Sequence, residues 1–301
     1  MSSGYRIFAA GVESAVNGVL KHVNLRAETL TGERKELGRL NRLKVAGHFT
    51  TPVFPVPRQF LEADIDFIFT ALGTYRDRFE DLREPSRNDT GYSFSNIWFT
   101  SPDAEVLYSV VREYKPRRIV EVGSGHSTRV TRQAIIDGRL QCELISVDPS
   151  PRIEVAGFAD VIYREPFEQM DVGQVTSLLG AGDILFIDSS HEVVTGNDVV
   201  FAFLKVMASL SPGVLIHIHD VFLPYDYPES WVIDHRREWA EQYLVQALLM
   251  GGDAFEVIWP GYYVQQTRPQ LGLLLPWTAA RTAQSMWLRV KRCTNTAGPN
   301  D

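Results

Sequence analysis

The sequence predicts an α/β fold, a mostly parallel sheet with helices on both of its faces, and three observations carry that prediction. An apolar strand, Ile119-Val120-Glu121-Val122, runs into Gly123-Ser124-Gly125 and then a helix start. A second apolar strand ends in Asp148, about 25 residues beyond the first glycine, as in a strand-helix-strand unit that seats a nucleotide-like ligand. Phe, Ile and Leu crowd segments 182–191 and 213–220, as strands covered on both faces require.

Bulk properties narrow the function classes. With 301 residues the chain has room for one large α/β domain with appendages or for two small ones. A net charge of −7 argues against a nucleic-acid backbone as partner, because such binding draws on clustered Lys and Arg. Two cysteines, Cys142 and Cys293, exclude a disulfide framework and a multi-cysteine zinc site and suit a reducing, cytoplasmic setting. No apolar run approaches the length of a membrane span, and the N-terminal residues lack the signature of a signal peptide.

Along the chain, residues 5–45 place Val16, Val23, Leu30 and Leu37 at a seven-residue step, which predicts one-sided helices. Gly18, Gly32 and Gly38 break them into shorter pieces that pack on the core or pair two copies as a homodimer. Thr51-Pro-Val-Phe-Pro-Val-Pro57 is extended linker chemistry, so residues 1–57 form an appendage. Residues 58–116 read as a helical cap: an amphipathic helix over 59–83, a polar and aromatic loop, and a helix capped by Ser101 with Pro102 in its first turn. Tyr92, Trp98 and Tyr108 in this cap either shield a ligand or pack in the core. The α/β domain itself spans 117–291. Its last elements are a helix over 234–250 with Trp239, Tyr243, Leu244 and Leu248 inward, and strands at 255–259 and 285–290. Residues 292–301 read as a frayed tail.

The glycine loop is the first candidate site. Gly123 and Gly125 permit a sharp turn and close ligand approach, Ser124 lies between them, and Ser127 is a candidate N-cap of a helix whose free N–H groups favour an anion. The dinucleotide pattern G-x-G-x-x-G fails, because Thr128 stands at its last position. Asp148 either accepts hydrogen bonds from ribose hydroxyls or caps the turn before Pro149.

With Glu121-x-Gly123-x-Gly125 followed by a second strand ending in Asp148, residues 115–260 resemble the class I S-adenosylmethionine-dependent methyltransferases. The resemblance implies a Rossmann-like seven-stranded sheet whose last two strands make an antiparallel edge, with S-adenosylmethionine held by Glu121, Gly123, Ser124, Gly125, Ser127 and Asp148.

A second constellation gathers at the strand ends, where open α/β sheets bind ligands: Asp188, His191, His219 and Asp220. His217 and His219 share one face of their strand; His217, one pleat deeper, reads as a hydrogen-bonded core residue. Carboxylates with imidazole can hold Mg²⁺, Mn²⁺, Fe²⁺ or Zn²⁺. The pattern resembles metal-assisted O-methyltransferases, in which Asp188 and Asp220 match metal-ligand positions. Val221 replaces the Asn expected there, so Asp188, His219 and Asp220 become the expected ligands. His191 falls at the position of the family's basic lysine, which makes His191 and Asp188 the expected catalytic pair, acting on a hydroxyl of a small molecule or saccharide. Residues 222–231, aromatic and proline-punctuated, read as a lid over that acceptor. Three rival readings are a metal-dependent hydroxylase on the same fold, a metallohydrolase, and a non-catalytic cofactor-binding scaffold.

Overall fold

A computed structural model describes residues 12, 14–24, 27 and 30–292. The expected helix start near residue 5, Cys293 and the tail at 293–301 lie outside them. The chain divides into two units: residues 1–51 with 228–237, and residues 52–227 with 238–301. In the smaller unit, helix α1 (Thr31–Val45) buries none of its residues, and ion pairs tie Lys44 to Glu229 and Glu33 to Arg236. Val16, Val19, Val23 and Leu30 are exposed.

The larger unit holds a seven-stranded sheet of order β3-β2-β1-β4-β5-β7-β6. Its strands are β1 (Arg118–Val122), β2 (Glu143–Val147), β3 (Val161–Tyr163), β4 (Ile184–Ile187), β5 (Leu215–Ile218), β6 (Phe255–Pro260) and β7 (Met286–Val290). Strands β1 to β5 are parallel, and β7 runs antiparallel between β5 and β6. This is the Rossmann-like α/β fold that the sequence predicts. The strand period sorts the two cores: Val120, Val122, Leu185, Ile187, Ile216 and Ile218 face one, while Ile119, Ile184, Phe186 and Leu215 face the other. β3 escapes sequence detection because it is three half-buried residues at the sheet edge.

Several helix expectations need correction. The predicted helix over 59–83 is two, Arg58–Glu62 and α2 (Ile65–Leu82), with Ala63 extended between them. Gln59 anchors the first piece by donating to the carbonyls of Leu249 and Gly252. Helix α3 (Asp103–Tyr114) starts after Pro102, and the Ser101 hydroxyl donates to the Glu105 carboxylate 2.5 Å away instead of capping backbone. Helix α4 (His126–Gly138) follows β1. Helix α5 (Glu241–Gly251) starts seven residues after Asp234, where the sequence placed it. Its buried residues are Glu241, Gln242, Val245, Gln246 and Leu249; of the predicted inward stripe, Leu244 and Leu248 pack half-buried against the core, while Tyr243 is exposed. Polar partners turn it: Gln242 accepts the Phe222 N–H, and Gln246 donates to Pro55 O. Phe222, Leu223 and Tyr227 are themselves buried, so the first half of the expected lid is core. No helix among the described residues is long and apolar enough to cross a membrane.

Candidate active site

The site forms where β1, β2, β4 and β5 end. Gly123 leaves β1 at φ +80°, and a Cβ there would lie 1.8 Å from the carbonyl oxygen of Asp188. The backbone pins both sides of this approach, as Gly123 N–H donates to Val147 O and Asp188 N–H to Val122 O. Asp148 accepts the N–H groups of Ser124 and Ser150, each at 2.8 Å, so it caps the loop and also lines the cavity beside it. Ser124 Oγ and Ser146 Oγ stand 2.6 Å apart and tie the loop to β2.

Glu121 plays a different part from its neighbours. It is buried behind the loop, off the cavity wall, and its two carboxylate oxygens accept the hydroxyls of Ser127 and Thr128, each at 2.6 Å. Ser127 therefore does not cap α4; Gly125 occupies the N-cap, and its N–H donates to Thr128 Oγ1. Burial outweighs the two hydroxyls and, with the nearby Asp188 and Asp148 charges, pushes the Glu121 carboxyl up to about 8.

These elements wall a cavity of about 420 Å³, a size suited to a nucleoside-bearing ligand. Its lining runs from Gly123 through Ser127 and includes Trp98, Asp148, Phe167 and Asp188. Of the three aromatics singled out from the cap, only Trp98 reaches it. Tyr92 and Tyr108 are core residues whose hydroxyls donate to Phe99 O and the Asp137 carboxylate. The sequence reading missed Arg152, whose guanidinium sits 4.3 Å over the Trp98 ring at the cavity, and His126 at the start of α4.

Asp188 also belongs to a second group. His191 Nε2 lies 3.3 Å from Asp188 Oδ1 and 3.3 Å from Asp220 Oδ2, while its Nδ1 lies 2.9 Å from Glu241 Oε2. Asp188, His191 and Asp220 each offer one ligand atom within 4.8 Å of the others, close enough to share a metal ion. His219 stands outside that set, 3.9 Å from the far oxygen of Asp220, and neither of its buried ring nitrogens has a hydrogen-bond partner. The structure thus brings Asp188 and Asp220 together with His191, rather than with the expected His219. Burial alone would lower the His191 pKa, but hydrogen bonds to Asp188 and Glu241 and the Asp220 charge hold it well above the usual histidine range. Both ring nitrogens face protein carboxylates, so His191 reaches an acceptor only through its neighbours. Burial and the His219 charge push the His217 pKa well below the usual histidine range, its ring stacks on Phe186 at 3.9 Å, and its Nε2 lies 3.1 Å from Ser285 Oγ.

Residues 120–221, from β1 to the tip of β5, match the family model of a methyltransferase domain. The matched residues carry the glycine loop and the strand tips with Asp148, Asp188, His191 and Asp220, while Trp98 and Glu241 come from outside them. Solved structures to which the chain is similar include the following two. The SAH-bound methyltransferase PaMTH1 of Podospora anserina is 19% identical over 89% of this chain and 100% of that one, with a TM-score of 0.41. An O-methyltransferase of Bacillus cereus in complex with SAH is 14% identical over 92% and 97%, with a TM-score of 0.37. No curated protein matches the chain in sequence.

Proposed function

We propose that the chain is an S-adenosylmethionine-dependent methyltransferase that acts on a hydroxyl of a small molecule or saccharide, with a divalent cation assisting. The observation that supports this most is the double engagement of Asp188. Its carbonyl packs on the glycine loop, it lines the cavity, and its carboxylate belongs to the cluster with His191 and Asp220. Cofactor seat and proton-handling groups are therefore neighbours through one residue.

When bound, the cofactor supplies the sulfonium methyl. The protein's own work is binding and orientation. The loop of Gly123 to Ser127 gives close backbone approach, and Asp148, held by two backbone N–H groups, keeps its remaining acceptor capacity for a ribose. The donor set of two carboxylates and an imidazole fits a divalent cation, and when bound such an ion makes a hydroxyl beside it more acidic. Asp188 is the member turned to the cavity, so it meets the acceptor hydroxyl, while His191 fixes the two aspartates from behind. Alignment of this kind is worth several kcal/mol, roughly the gain of an intramolecular over a bimolecular encounter. The exposed valines before α1 are the surface through which we expect two copies to pair, which light scattering of a Val19→Asp variant tests.

Titration of S-adenosylmethionine into the purified chain, followed by labelled methyl transfer to a panel of hydroxylated acceptors, tests the reading. We expect binding at micromolar concentration and transfer lost in Asp188→Ala. No cofactor binding would overturn it.

A further inference from the structure

We infer that the acceptor is amphipathic: while its hydroxyl end meets Asp188, an apolar portion of it rests outside the cavity, on a loop tip made by Ile97 and Trp98. The inference names the acceptor class for the reaction proposed above and rests on that reading.

The tip is held in water by its own loop. Ile97 is 79% and Trp98 49% exposed, although Tyr92, Phe94 and Phe99 of the same loop are buried. Asn96 fixes this arrangement with the four hydrogen bonds that an amide side chain can make. Its Oδ1 accepts the N–H groups of Trp98 at 2.9 Å and Phe99 at 2.8 Å, and its Nδ2 donates to the carbonyls of Ser93 at 2.7 Å and Phe99 at 3.0 Å. Phe99 anchors the far side of the tip, its ring centroid 5.0 Å from that of His219 and 5.8 Å from that of Phe186. Two adjacent large apolar side chains are thus kept from folding back onto the core. At the rim of a cleft, such a patch marks a place where a ligand or partner loses water.

The tip is continuous with the site. Behind it runs a groove of about 360 Å³, walled by Gly91, Ser93, Ser95, Ile97, Trp98 and His126 among others. Trp98 and His126 also wall the cofactor cavity, so the two spaces share a border. Arg152 lines the inner space and not the groove, and covers the Trp98 ring from there. Asp188 lines that same inner space. A molecule with its hydroxyl at Asp188 and its other end past Trp98 therefore leaves the cavity over this tip.

The groove's polar groups decide what that other end is. Ser93 Oγ donates to Arg83 O, accepts the Ser95 N–H and lies 2.8 Å from Ser95 Oγ, and the Asn96 amide is fully used. A bare sugar would meet hydroxyls and an amide that are already engaged, whereas an apolar group asks only for contact area. His126 adds a buried Nδ1 without a hydrogen-bond partner, and burial with the Arg129 charge lowers its pKa, which favours the uncharged ring.

The test titrates n-octyl β-D-glucoside, kept below its micelle concentration, and methyl β-D-glucoside into the full chain. The two probes share a sugar and differ in the apolar chain. We expect the octyl compound to bind at least tenfold more tightly, the effect of burying about two methylene groups. Ile97→Ser should reduce that advantage about fivefold and leave the cofactor Kd unchanged, since Ile97 is exposed and lies off the cofactor cavity. Leu204→Ser, which alters an exposed apolar residue of a separate groove, should leave it intact. Equal affinity for the two glucosides, binding of neither, or an advantage lost in Leu204→Ser and kept in Ile97→Ser would each overturn the inference. So would co-sedimentation with phosphatidylcholine vesicles that Ile97→Ser abolishes while the glucosides bind alike, because the tip would then be a membrane contact. Titration of S-adenosylmethionine into the same samples separates the two readings. Cofactor binding without an octyl advantage sinks only this inference, and an octyl advantage that depends on Ile97 without cofactor binding sinks only the methyltransferase reaction.

Discussion

Gly123 and Asp188 meet so closely that any side chain on Gly123 would collide with the Asp188 carbonyl, whose oxygen would be 1.8 Å from a Cβ. Because backbone is the obstacle, no rotamer change relieves the clash, and the positive φ of Gly123 adds strain for any L side chain. The contact joins the tip of β1 to the tip of β4, and so joins the cavity to the carboxylate cluster.

Gly123→Ala should therefore lower stability by about 2 kcal/mol or more and raise the cofactor Kd at least tenfold. Gly125→Ala is the control, since no atom lies within 4 Å of a Cβ there, and its melting temperature should stay near that of the parent. Equal melting temperatures for the two variants would show that the close approach is not maintained in solution.

Asp148 holds the loop and faces the cavity with one carboxylate. Asp148→Ala leaves the Ser124 and Ser150 N–H groups without their acceptor, at a cost of about 1 kcal/mol each. It should weaken cofactor binding about 10- to 100-fold while the seven-stranded core stays folded. Calorimetric titration reads the first effect and thermal unfolding the second. An unchanged Kd would leave Asp148 as a turn cap only.

Glu121 sets a pH dependence of stability. Its folded-state pKa is raised from 4.5 to about 8, so between those values the folded protein holds a proton that the unfolded chain has released. This group's contribution is fully present below about pH 4.5 and is lost as pH rises toward 8, at no more than about 1.4 kcal/mol per pH unit. Glu121→Gln, which cannot ionise, should flatten that part of the urea-unfolding profile and be the more stable variant at pH 8. Parallel profiles for the two proteins would show that Glu121 is ionised in the fold.

The parts of this architecture that repeat a simple rule were legible in the sequence. β1, β2, β4 and β5 are apolar runs that end in polar tips, and their order along the chain sufficed to place Gly123, Asp148, Asp188 and Asp220 at one edge. What stayed hidden depends on partners far away in sequence. Glu241 reads as an ordinary acidic residue in the first turn of a helix, and only the fold carries it across 50 positions to His191. His191 and Asp220 take left-handed backbone conformations, which strand periodicity cannot foresee. The polar buried face of α5 misled for the same reason, since its Gln and Glu residues are satisfied by backbone and side chains of other elements. Glu121 shows the converse: the motif acid was found, while the Ser127 and Thr128 hydroxyls that occupy both its oxygens came from the turn geometry of α4.

Trp98 offers a direct optical reading of the cavity. Its ring is half exposed, carries the Arg152 guanidinium at 4.3 Å, and both side chains line the wall near Asp148. Such a pair is worth about 0.5 to 1 kcal/mol in water and more once a ligand excludes solvent from it. Filling the cavity should quench the tryptophan emission, and Trp98→Phe should abolish that change without altering the melting temperature. Arg152→Ala should raise the cofactor Kd about fivefold, because the indole loses its cationic partner while keeping its own contact area. Quenching that persists in Trp98→Phe would place the bound ligand away from this wall and against one of the five other tryptophans.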